Sequence, residues 1–201
     1  MDSLSFDEKV ILTLYQKFYA EEYPAPANAR QIGEPERMTD EHVKAQKMCY
    51  LLNLSGICVG GFNYTWNTYG PYSPGLQAEL RELDRKHDLV RDYYDLRLSD
   101  AVIFSDEDEN SLFWSSDQES IKQLVDALEI PEDGAAVRDW MELLGSMAYI
   151  SQNVFPHGQF AWVNEELVSR KHQYNDEEAN KKAWNILLGA HLLSTRTVQT
   201  T

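Results

Sequence analysis

The sequence predicts an α+β domain that is predominantly α-helical, a helical body with a small β-hairpin around a Gly-Pro turn and further pairing in the middle of the chain. Three observations carry this. Apolar residues recur at helical spacing in most segments. One passage, Gly61 to Tyr69, alternates aromatic and polar residues with a period of two. The C-terminal third has helix starts and stops but no strand signal.

In chain order, Ser5-Phe6-Asp7-Glu8 is a capping box that opens a helix bearing Val10, Ile11, Leu14 and Phe18, ending near Glu22. The stretch 23–37 holds Pro24, Pro26, Gly33 and Pro35 and reads as a surface loop. Thr39 is the expected cap of the next helix, with Asp40 and Glu41 in the first turn where the helix dipole favours them. Val43, Tyr50, Leu51 and Leu54 form its buried side, and Gly56 ends it. Phe62, Tyr64 and Trp66 then alternate with Asn63, Thr65 and Asn67 as a half-buried strand. Gly70-Pro71 is a turn. Ser73 is an N-cap and Pro74 the first helical residue, where its missing N–H costs nothing. Leu76, Leu80 and Leu83 are the core stripe of that helix.

The segment 88–104 gives either a helix or a strand pair, and Leu96, Leu98 and Val102-Ile103-Phe104 favour strand. An acidic turn, Ser105 to Asn110, would join it to Leu112-Phe113-Trp114 as a hairpin. That turn lacks the glycine and closing glutamate of an EF-hand loop. Ser116 with Glu119 then opens a helix bearing Ile121, Leu124, Val125 and Leu128. A second, from about Asp133, carries Val137, Trp140, Met141, Leu144 and Ala148. A third is expected from Asn164, and a fourth from Asn175 with Glu178 as its capping partner, presenting Ala183, Trp184 and Leu187. One domain, 1–193, is expected: an N-terminal helix to 22, the 23–37 loop, the core 38–193, and a flexible tail 194–201.

A chain of 201 residues can bury a sizeable core. It has no run long enough to span a bilayer and no basic, apolar leader, so the expectation is a cytoplasmic protein without membrane association. Cys49 and Cys58 read as buried thiols. A formal net charge of -15 repels phosphate backbones, which disfavours direct nucleic-acid binding and suits a basic protein partner. Five histidines fall one to a segment without ligand spacing, no phosphate loop or GxSxG is present, and Ser73 is better explained as a cap than as a nucleophile. No catalytic residue, cofactor or metal is implied.

The passage AQKMCYLLN leading into NTYGPYSPGLQAEL, with DWMELLGSMAYI at 139–150 and Lys182-Ala183-Trp184, resembles the YwgA-like family of bacterial proteins and, more distantly, the Panacea superfamily of SocA-like antitoxins. The likeness spans roughly Thr39 to Leu193. It implies a non-enzymatic protein-binding module, an antitoxin or immunity-type protein of a bacterial or phage conflict system that neutralises a partner by contact. It leaves two alternatives: an adaptor or regulatory subunit of a defence or proteolytic assembly, and an acidic DNA mimic. The partner-binding candidates are Tyr69, Gly70, Pro71, Tyr72, Trp66 and Tyr64.

Overall fold

The structure, a computed structural model, describes residues 40–57, 59–86, 111–131 and 134–193. The expectations for 1–22, for the 23–37 loop, for 88–110, for Cys58 and for the tail lie outside these residues.

Helix α1 (Asp40–Leu54) ends where the N–H of Ile57 reaches the carbonyl of Leu52 at 3.0 Å and that of Gly56 reaches Asn53 at 3.2 Å. This double bond closes a helix when the residue past its end takes a left-handed conformation, and Gly56 does so at φ 91°. The Asn53 side chain then accepts the N–H of Val59 at 2.7 Å, which steers the chain back toward the body.

Strands β1 (Thr65–Asn67) and β2 (Gly70–Tyr72) form an antiparallel hairpin with Thr65 opposite Tyr72, Trp66 opposite Pro71 and Asn67 opposite Gly70. Along 62–67, half-buried Phe62, Tyr64 and Trp66 alternate with exposed Asn63, Thr65 and Asn67 as expected, but only Thr65–Asn67 is strand, and the turn is Thr68-Tyr69 rather than the expected Gly70-Pro71, which begins β2. Pro71 has no N–H, so its position opposite Trp66 is a non-bonded pair and its carbonyl points away from β1. Helix α2 (Pro74–Lys86) starts at Pro74, and the Ser73 hydroxyl accepts the N–H of Leu76 at 3.4 Å. Leu76 and Leu80 are fully buried.

Helix α3 (Ser111–Ala127) corrects the expected second hairpin, since Leu112-Phe113-Trp114 are helical and the Ser116 to Glu119 box lies inside the helix. A three-residue apolar run fits either period, and continuation into the stripe at Ile121, Leu124 and Val125 decides for helix. Helix α4 (Gly134–Asn153) starts next to the expected Asp133. Helix α5 (Phe160–Arg170) begins four residues before the expected Asn164, which is no cap. Its Oδ1 instead accepts from Asn180 Nδ2 at 2.7 Å and ties α5 to α6 (Glu177–Gly189). Helix α6 is capped by Asp176 rather than Asn175, through the N–H groups of Glu178 at 3.0 Å and Ala179 at 3.1 Å.

Helices α1 and α4 pack on each other as the central pair. Helices α5 and α6 lie on α4 and on each other, α2 lies on α1, and β2 rests on both central helices. The pair is buried on every side over long stretches, 42–52 and 141–148, rather than along one stripe. Met48, Leu51, Leu52, Met141, Leu144 and Met147 are fully buried in the common apolar core. Within it sit polar side chains that the apolar stripe does not announce: Gln46, Lys47, Glu142 and Ser146. No described helix is long and apolar enough to cross a membrane.

Candidate functional site

A two-stranded hairpin of three-residue strands does not hold its shape alone in water. Here its seat is polar. Gln46 spans the start of α2 with both ends of its amide: Nε2 donates to the Ser73 carbonyl at 3.0 Å and Oε1 accepts the Ser73 N–H at 2.9 Å. The next residue of α1, Lys47, donates through Nζ to the outward carbonyl of Pro71 at 2.8 Å. From the other side Lys171, just after α5, donates to the Thr68 carbonyl at 2.6 Å and to the Glu142 carboxylate of α4. The two lysines therefore grip the turn at both shoulders.

All three ionisable groups are withdrawn from water, Lys47 at 0%, Glu142 at 2% and Lys171 at 4% exposure. Burial pulls the Lys47 amine from its ordinary 10.5 down to about 7, opposed by Glu142 and reinforced by Lys171. Burial also lowers Lys171, against the hydrogen bond and charge of Glu142. Tyr174 is raised by burial and by Glu142 and Asp139. The stem of Lys47 crosses α4 at Gly145, where an added Cβ would come within 3.1 Å of its Cδ. Gly70, at φ 85°, is pressed on Ser146 so closely that a Cβ would lie 2.5 Å from the Ser146 hydroxyl oxygen.

The partner-binding candidates separate on this seat. Gly70 and Pro71 are buried against the central pair, and Tyr72 is half-buried. Trp66 lies 5.7 Å from the Tyr149 ring, with the Arg170 guanidinium 4.8 Å over its own ring, so it is already engaged within the fold. Tyr64 packs edge-on to Tyr50 at 5.0 Å, and its buried hydroxyl finds no partner among the described residues. Only Tyr69 of the six points to water as a large apolar group, 38% exposed at the tip; Trp162 of α5 is the other such residue described, at 54%.

Lys47, Glu142, Lys171 and Gln46 were not singled out by the motif. A signal existed for the first: Lys47 stands four residues after Val43 and four before Leu51, on the apolar face of α1, where a charge needs a partner. Lys171 carries no such mark, being outside any periodic segment.

Chemically the cluster is sealed. Lys47 has the lowered basicity that marks catalytic amines, but its Nζ is covered and bonded to a main-chain carbonyl, so no substrate atom can approach it. Among the described residues no three His, Cys, Asp or Glu side chains gather as a metal site. A shallow groove of about 570 Å³ lies between the ends of α3 and α6, bordered by Glu129, Lys182 and Ile186, and the Glu129 to Lys182 ion pair at 3.0 Å bridges it.

Compared with family models, with curated proteins and with solved structures, the chain matches none.

Proposed function

We propose that the chain is a non-enzymatic protein-binding module that acts by direct contact through the tip of the hairpin. The observation that supports this reading is Tyr69: an exposed aromatic on a turn whose neighbours on both sides are fixed from behind by buried side chains. An aromatic held on a rigid support loses little conformational freedom on binding, which is what contact anchors at protein interfaces require. The acidity of the chain, -15 overall, favours a basic partner by speeding encounter. Together with the resemblance to YwgA-like and Panacea proteins, this gives an antitoxin or immunity-type protein of a bacterial or phage conflict system, working in the cytoplasm, as the reading.

Co-expression with the products of neighbouring reading frames, followed by affinity capture and a growth assay, tests it. The expected result is one stoichiometric basic protein whose toxicity is suppressed, with capture lost in Tyr69→Ala. A multi-subunit assembly would replace this reading with the adaptor one. Capture of a DNA-binding enzyme that nucleic acid displaces would replace it with the DNA mimic.

A further inference from the structure

The cluster beneath the hairpin has an imbalance that its hydrogen bonds do not remove. Two buried lysines share one buried carboxylate, and each lysine also holds a carbonyl of the same hairpin, Lys47 that of Pro71 in β2 and Lys171 that of Thr68 in the turn. Glu142 contacts Lys171 directly, so with both amines charged one positive charge lies in the core without a counter-ion of its own among the described residues. We propose that the Lys47–Glu142–Lys171 cluster is an acid-sensitive latch: a proton taken up by Lys47 places unbalanced positive charge under the hairpin and loosens its hold on the central helices.

The groups around Lys47 are consistent with this. Helix α4 brings Glu142, with Arg138 and Asp139 acting behind it on Lys171 and Tyr174. The stretch after α5 brings Lys171. Helix α1 itself carries Lys44 one turn away and His42 beyond it, β2 brings Tyr72 and the Pro71 carbonyl, and β1 brings no ionisable side chain. Among the described residues Glu142 is the carboxylate that acts on Lys47, and Lys171 already holds it. When Lys47 is neutral its amine still donates to Pro71, so the bond persists and only the unbalanced charge disappears.

The sign follows from proton linkage. With Lys47 near 7 when the hairpin is seated and near 10.5 when it is free in water, the free form binds more protons between those values. Seating therefore strengthens as pH rises from 7 toward 10, weakens as pH falls through that range, and levels off below about 7. Between pH 8 and pH 6 the opening equilibrium should grow about tenfold.

The latch itself does not depend on what the tip contacts, and only its consequence for partner binding rests on the function proposed above. The test therefore uses the full chain without a partner. Lysine ¹³Cε resonances and hydrogen exchange are followed from pH 5.5 to 9.5, with protection corrected for the intrinsic exchange rate. Lys47 should titrate near neutrality. Protection of the paired hairpin amides of Thr65, Asn67, Gly70 and Tyr72 should fall about tenfold from pH 8 to 6, while amides of α4 keep theirs. In Lys47→Met, which carries no charge at any pH, that fall should vanish. A Lys47 titration near 10.5, or hairpin protection that stays level while Lys47 charges, would overturn the latch. Both readings come from the wild-type chain, so they decide the matter even where Lys47→Met fails to fold.

Discussion

Helix α1 carries two kinds of support within about two turns, and they hold by different physics. Met48, Leu51 and Leu52 are buried in the common apolar core, through contact that is non-directional and tolerates exchange of shape for shape. Gln46 and Lys47, their neighbours in sequence, hold the hairpin through bonds whose donors and acceptors must meet at fixed places. The first kind makes the helical body stable. The second fixes where one turn sits and which of its residues faces outward. A residue lost from the apolar seam leaves a void; a residue lost from the polar seat leaves a buried charge or an orphaned carbonyl.

The largest effect should come from breaking the polar seat at its one carboxylate. Glu142→Ala leaves two buried amines without a counter-ion and should cost about 3–5 kcal/mol of unfolding free energy, measured by urea titration. Leu144→Ala, from the apolar seam two residues on, should cost about 2–5 kcal/mol by the same titration, toward the lower end where the seam can close on the void. The two sharpen the comparison through pH. The cost of Glu142→Ala should shrink as pH rises above 7 and Lys47 sheds its charge, while that of Leu144→Ala should stay level. Equal pH dependence in both would remove the distinction between the two kinds of support.

Gly70→Ala comes next. The left-handed conformation and the 2.5 Å approach of a Cβ to the Ser146 oxygen should together cost about 1–3 kcal/mol. Ser146→Gly in the same chain should return part of that loss, because it relieves the contact and leaves the backbone strain. The smallest effect should be at Tyr69, where truncation to Ala removes a side chain that reaches water and should change stability by no more than about 0.5 kcal/mol.

What the sequence discloses follows from the range of the forces involved. The Ser73-Pro74 helix start, the alternation through Phe62, Tyr64 and Trp66, and the close of α1 at Gly56 are settled within a few residues, and all are where the pattern puts them. Asn164 is misread as a helix start because an asparagine bonds equally well to another helix, and Asn175 because the neighbouring Asp176 is an equally good cap. Only the fold shows that Asn180 is the partner of the first. Leu112 to Trp114 are misread as strand because a short apolar run has no period of its own. The site divides in the same way. The Tyr-Gly-Pro-Tyr motif is visible as unusual, but whether each of its residues faces the core or water depends on Lys47, Lys171 and Ser146, which reach the turn from 24 to 103 positions away or across a helix face.

The claim that binds these observations is that the motif is a seat with one outward residue. It is tested most directly by urea unfolding of Tyr69→Ala and Gly70→Ala side by side. The account predicts that Tyr69→Ala keeps the wild-type midpoint while Gly70→Ala, one position along, loses about 1–3 kcal/mol. Equal losses at the two positions, or the greater loss at Tyr69, would contradict it and put the tip of the hairpin inside the structural core.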